Sequence, residues 1–261
     1  MSARVAVLIY PGTNSEEETV RILRDVGIDA EFVHWSRAEM LNRYDAFVLP
    51  GGFAYEDRIR AGAVAAHDRL TDAVIRRAQA GKLVFGICNG AQILLEAGLV
   101  PGTGPLRRPT AAFTKNAPVG KFVCRHVYLK LAVEPNRCAI TAALAPGALI
   151  PAWAAHGEGR LAATDEHLAE IKNGDHIAFA YARADGVADQ SANPNGSALG
   201  IAGLTNREGN VLAIMPHPER DAWTFNHPAS SLGRQSFGDK AKALAPSGGA
   251  LLFESFARAL Q

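Results

Sequence analysis

Cysteine is scarce, with three residues in a chain of 261, at positions 88, 124 and 138. Three widely spaced thiols are too few, and the wrong number, for a disulfide framework, which points to a reducing, cytoplasmic home. A dominant charge is also lacking. Lys plus Arg number 27 against 26 Asp plus Glu, so there is no electrostatic footprint for nucleic acid and no polybasic run for a membrane surface. Long apolar runs are missing as well. Val5 to Tyr10 is stopped by Pro11-Gly12 and is too short for a signal peptide's apolar region. The longest apolar stretch, around Ala142 to Ala155, is broken by Pro146 and Pro151 and cannot span a bilayer. Neither a G-x-x-x-x-G-K-[ST] phosphate loop nor a G-x-G-x-x-G turn after a strand occurs. Metal-ligand spacing is absent too: Cys124 and His126 lie two apart with no second pair nearby, so no metal site is expected. Charged residues make up 20%, below the usual ~25%, which leaves ample apolar material for a core and no compositional case for disorder. A single domain over residues 1–261 is expected.

What is present is alternation. Short runs rich in Val, Ile and Phe, at Val5–Tyr10, Ala30–His34, Asp45–Pro50 and Leu83–Ile87, are separated by segments of helical period. One helix is capped by Asn14 or Ser15, carries Glu16, Glu17 and Glu18 in its first turn, and stops near Gly27. Another runs from about Ala66 to Ala80. This is the pattern of repeated strand-helix-strand units. After Gly102 the texture changes: Phe122–Leu131, Ile177–Arg183, Leu199–Thr205 and Val211–Met215 read as antiparallel strands. The fold class is therefore α/β, a flavodoxin-like open mixed, mostly parallel sheet with helices on both faces, whose ligands sit outside the carboxyl ends of the strands. Residues 221–248 are rich in Ser, Gly, Lys and Pro and read as a loop insertion before a closing helix, Leu251–Leu260.

The sharpest local feature is Gly86-Ile87-Cys88-Asn89-Gly90, at the end of an apolar strand and directly before the helical pattern Ala91–Ala97. It has the form of a nucleophile elbow, a tight strand-to-helix turn with glycines where side chains would collide. A cysteine there sits at a helix N-terminus, which favours thiolate over thiol, and the next N–H, at Asn89, points where an oxyanion would form. A buried structural cysteine beside two packing glycines is the plainer alternative. A cysteine nucleophile also needs a base and a group to orient it. Met215-Pro216-His217-Pro218-Glu219-Arg220 supplies both: in an extended segment residues two apart project to one side, so His217 and Glu219 can meet. His156 also has an acid two residues on, Glu158, but is read in a glycine-rich loop. Leu49-Pro50-Gly51-Gly52-Phe53 ends the third strand, where a bare glycine N–H suits a second oxyanion donor.

Taken together, the Cys88 elbow, the LPGGF turn and the HPER segment resemble the class I, triad-type glutamine amidotransferases, which hydrolyse the glutamine side-chain amide to glutamate and ammonia. The ordered set widens with Arg60-Ala61-Gly62, His156-Gly157-Glu158-Gly159-Arg160 and Asn193-Pro194-Asn195-Gly196-Ser197. That set is similar to the separate glutaminase subunits of the phosphoribosylformylglycinamidine synthases of purine synthesis. The resemblance implies Cys88 as nucleophile, His217 as acid and base, Glu219 as its orienting carboxylate, and Gly52 and Asn89 as the oxyanion hole. It further implies substrate contacts by Gln92, His156 and Glu158. ATP and magnesium are implied on another chain, a large synthetase subunit that receives the ammonia, with a small accessory subunit beside it. The chain departs from the family pattern at Ala54 and Glu56, where Ser and Gly are common. Another triad amidotransferase, a free-standing glutaminase, and a non-catalytic scaffold subunit remain the alternatives.

Overall fold

The computed structural model describes residues 3–118, 120–228 and 243–261. Strands β1 (Arg4–Ile9), β2 (Asp29–His34), β3 (Ala46–Leu49) and β4 (Leu83–Ile87) alternate with helices α1 (Glu16–Asp25), α2 (Arg69–Gln79) and α3 (Asn89–Glu96). Further along come β5 (Ala111–Thr114), β6 (Val123–Leu131), β7 (Leu149–His156), β8 (Arg160–Ala163), α4 (Asp165–Asn173), β9 (Phe179–Ala182), β10 (Ile201–Thr205), β11 (Val211–Ile214) and α5 (Ala250–Arg258). One nine-stranded sheet has the order β2-β1-β3-β4-β11-β10-β9-β6-β7, and β5 pairs with β8 in a separate ribbon. From β2 to β11 every pairing is parallel; from β11 to β7 every pairing is antiparallel.

The parallel half is the core because both its faces are covered. Every residue of β3 and β4 is buried, the continuous apolar signature of strands sandwiched between helices. Phe85 meets Phe253 and Phe256 of α5 at ring distances of 5.9 and 6.1 Å. The next residue, Gly86, faces the other way and lies under Leu94 of α3. Helices therefore pack on both faces, as the sequence pattern requires.

The expected strands are in place to within a residue or two. Strand β7 lies in the Pro-interrupted stretch around 142–155, and β5, β8 and α4 are short and of weak period, so none of the four is among the expected elements. Around the expected insertion, residues 221–228 and 243–248 close on each other through a Trp223–Pro246 bridge; the rest of that insertion lies outside the described residues. No helix among the described residues is long and apolar enough to cross a membrane.

Candidate active site

The carboxyl ends of β3, β4 and β11 meet at one edge, and each delivers part of the site. β4 ends at Ile87 and α3 begins at Asn89, so Cys88 must turn the chain alone, and it does so at φ 51°, ψ −107°. A non-glycine residue in that region is strained, and its neighbours hold it there. Its N–H is tied to Ile214 O of β11 at 2.8 Å, and Gly90 N–H to Pro50 O at 3.1 Å. A Cβ on Gly90 would lie 1.9 Å from Leu49 O, so the helix can approach β3 only without one. Cys88 itself is buried, with Sγ 3.9 Å from Ala155 O.

His217 follows β11 and is pinned to β7 by two backbone hydrogen bonds with Trp153, of 2.8 and 3.1 Å. Its imidazole shares the cavity wall with Cys88, near enough for the sulfur to act on its charge, and bonds Glu219 Oε1 through Nδ1. The extended geometry expected of this pair is absent. The chain turns into a 3-10 helix at Glu219 directly after Pro218, and that turn, rather than strand alternation, brings the carboxylate round. Glu219 is wholly buried and its Oε2 has no hydrogen-bond partner. Burial pushes the His217 pKa down, but the Glu219 carboxylate and the Cys88 sulfur outweigh it and raise it to about 10.

Gly51 and Gly52 end β3 beside this pair. A Cβ on Gly51 would come within 2.5 Å of His217 Cε1 and 3.4 Å of Cys88 Cβ. Ser15, expected as a helix cap, makes no side-chain cap; its hydroxyl instead accepts from Gly51 N–H at 2.7 Å and so positions the turn. The bridge between Thr13 and Gly52 is made by the N–H groups of Asn14 and Phe53, which leaves the Gly52 N–H free of it. The Asn89 N–H is an orphan donor at the head of α3. Among the described residues neither donor has a protein acceptor.

A cavity of about 390 Å³ opens over Cys88 and His217 and is lined further by Gly52, Gln92, His156 and Glu158. Of the expected site residues, Cys88, His217, Gly52, Gln92, His156 and Glu158 line this cavity, while Glu219 is buried behind His217 and Asn89 lies at the head of α3 beside Cys88. Gln92 has its amide committed within the protein: Oε1 accepts from Asn89 Nδ2 at 2.9 Å and Nε2 donates to Glu158 O at 2.7 Å. His156 is the last residue of β7 rather than part of a loop. It is buried, neither ring nitrogen bonds another residue, and burial followed by the His217 charge lowers its pKa to about 4. It is therefore a neutral imidazole at physiological pH.

Asp57, which the sequence reading did not single out, also lines the cavity. Burial and the charge of Glu158 raise its pKa to about 6, against a 3.2 Å hydrogen bond from Asn89 Nδ2. Its loop is unusual: Tyr55, Glu56 and Asp57 all have φ between 51° and 59°, and Ile59 has φ 74°. Asn89 Oδ1 accepts from Ala54 N–H at 2.9 Å and anchors that loop to α3. The Asp-after-Gly-Gly spacing alone carried no signal for this role.

A model of the CobB/CobQ-like glutamine amidotransferase domain matches residues 2–255. The chain is 43% identical over 218 residues to phosphoribosylformylglycinamidine synthase subunit PurQ of Thermomicrobium roseum, spanning 83% of this chain and 87% of that one. It is 42% identical over 221 residues to the subunit of the same name from Salinibacter ruber, 84% and 88% of the two chains. Among solved structures, a chain of PurLQS from Thermotoga maritima is similar at a TM-score of 0.75 and 31% identity, with 100% of both chains covered.

Proposed function

Because the chain belongs to the glutamine amidotransferases, as the glutaminase subunit of phosphoribosylformylglycinamidine synthase, we propose that Cys88, His217 and Glu219 are its catalytic triad. It works in a complex with a large synthetase subunit, PurL, and a small subunit, PurS. The observation that carries the triad is the strained Cys88 at the head of α3, with His217, buried and paired with Glu219, beside it in the same cavity wall.

The geometry supports one sequence of steps. The Cys88 thiolate attacks the side-chain carbonyl carbon of glutamine, and the C=O electron pair moves onto oxygen, where the Gly52 and Asn89 N–H groups stabilise it. His217, held protonated by Glu219, gives its proton to the amide nitrogen as the C–N bond breaks, so ammonia leaves and a thioester remains. The now neutral His217 takes a proton from water, whose oxygen attacks the thioester; collapse releases glutamate and the thiolate. The ammonia goes to PurL, which converts formylglycinamide ribonucleotide to the amidine. ATP and magnesium belong on that partner, since this chain carries no phosphate loop. A cytoplasmic site of action fits the cysteine usage.

At the substrate's other end, the paired carboxylates Asp57 and Glu158 offer negative charge for the α-ammonium group. Glu158 Oε2 is fixed by Ala61 N–H at 3.1 Å. The neutral, unpartnered His156 offers a hydrogen-bond partner without a charge, which suits an uncharged carboxamide better than the carboxylate of glutamate.

The test is ammonia release from glutamine by the chain, alone and with PurL, PurS, ATP and formylglycinamide ribonucleotide. The complex should stimulate release, and Cys88→Ala should abolish it at least ~10³-fold while external ammonia still supports amidine synthesis. Glutamine-dependent synthesis that survives Cys88→Ala would overturn the assignment.

A further inference from the structure

Next to the triad, but outside its chemistry, three ligand-bearing side chains from separate segments converge. His126 comes from β6, Asp221 from the turn that begins at Glu219, and His227 from the end of the following 3-10 turn, Thr224–Asn226. His126 Nε2 lies 2.7 Å from Asp221 Oδ2, and His227 Nδ1 lies 3.0 Å from the same oxygen. Asp221 is fully buried, and the Ser247 hydroxyl donates to its other oxygen at 2.8 Å. The two imidazoles stand edge to face 4.9 Å apart, and Tyr128 and Trp153 fix the His126 ring at 5.1 and 5.4 Å.

We propose that His126, Asp221 and His227 form a binding site for a divalent transition metal of the zinc class, clamping β6 to the segment that leaves the triad. Their ligand atoms all lie within 4.8 Å of one another. Zinc bonds of about 2.0–2.1 Å set tetrahedral ligands ~3.3 Å apart, so the N···O separations of 2.7 and 3.0 Å open by roughly 0.6 and 0.3 Å while the ring nitrogens, within 4.8 Å of each other, settle at that same spacing. Two imidazoles and one carboxylate suit zinc, cobalt, nickel or copper and are poor for magnesium and calcium, which take mainly oxygen. Ligation requires each ring to carry its proton on the far nitrogen, Nδ1 of His126 and Nε2 of His227, so neither must be charged. Ser247 keeps the carboxylate oriented with Oδ2 toward the rings, the kind of outer hydrogen bond metal ligands need. Water fills the fourth position, reached past the His227 side chain, which is 22% exposed.

Ligand spacing along the chain does not reveal this cluster, because Asp221 is 95 residues from His126 in sequence. The site would act on structure rather than on the reacting atoms. Asp221 N–H closes the turn onto Pro218 O at 2.9 Å, so a metal on its carboxylate braces the turn that carries Glu219. The inference stands independently of the reading of the triad.

The test uses the full chain with Cys88→Ser and Cys124→Ser, so that no thiol near the site can bind metal. Titration with Co²⁺ should give saturable visible absorption of a four-coordinate nitrogen and oxygen site, which Zn²⁺ displaces, and Zn²⁺ should raise Tm. His126→Gln and His227→Gln, each shown folded by circular dichroism, should each weaken binding at least about tenfold. His34→Gln, on the far side of the sheet, should not. A cluster held by hydrogen bonds alone would give no saturable cobalt spectrum, and that result, or binding that survives both histidine substitutions, overturns the proposal.

Discussion

Gly51 and His217 define how tightly the proposed reacting groups are packed. A methyl group at Gly51 would overlap His217 Cε1, and the imidazole cannot retreat because its backbone is bonded to β7 and its Nδ1 to Glu219. Gly51→Ala is therefore expected to lower kcat for glutamine hydrolysis by ~10² or more while the protein remains folded, a pairing that steady-state kinetics and a melting curve check together. Glu219 acts through the same imidazole. Its carboxylate is the largest cause raising the His217 pKa, so Glu219→Gln should move that pKa down from about 10, as seen in the histidine Cε1–H resonance across a pH titration. The sign for stability follows from linkage. A histidine whose folded pKa lies above the unfolded ~6.5 contributes stability that is complete below that value and is lost as pH rises toward 10. Wild type should therefore lose stability from pH 6.5 up to about 10, whereas in Glu219→Gln the loss should end at a lower pH; loss over the same range in both would contradict it.

Among the elements, the loop 54–59 and helix α2 are coupled. Asp68 caps α2 by accepting from Leu70 N–H at 2.7 Å, and its other oxygen accepts from the Tyr55 hydroxyl at 2.5 Å. One carboxylate thus starts a helix and ties down the strained loop that presents Asp57. Asp68→Ala should cost about 1 kcal/mol from the cap alone and raise KM for glutamine more than it lowers kcat, as denaturant melts and kinetics would report. The departure from the family pattern at Glu56 has a structural meaning at this scale. Glu56 has φ 59°, the left-handed region that glycine occupies without penalty. Its ion pair with Arg58, the only one it makes among the described residues, is highly exposed on both sides and contributes little. Glu56→Gly should therefore leave stability unchanged or raise it by up to ~1 kcal/mol, measured by chemical denaturation; a clear loss would mean the carboxylate is doing something the loop geometry does not reveal.

At the scale of the molecule, the alternation of buried strands and amphipathic helices, the change to antiparallel texture after Gly102, and the proposed nucleophile with its proposed base were all readable along the chain. These are local signals: Cys88 is marked by its own turn, whose glycines must be glycines because backbone lies within 3 Å of the missing side chains. His217 and Glu219 are two residues apart, so their pairing was legible even though a 3-10 turn, not an extended strand, produces it. Tertiary structure alone decided the rest. Strand β7 brings His156 into the cavity as a neutral imidazole, which depends on burial. Asn89 side-chain bonds hold Asp57 in place, and the fold recruits Ser15 from a cap to the Gly51 turn. The meeting of His126 with Asp221 joins the antiparallel half of the sheet to the parallel one. The physical reason is range. A turn, a cap or a periodic face is set by residues within a few positions, whereas a cavity wall or a three-segment cluster depends on which strands the sheet places side by side, and no short stretch of chain encodes that order.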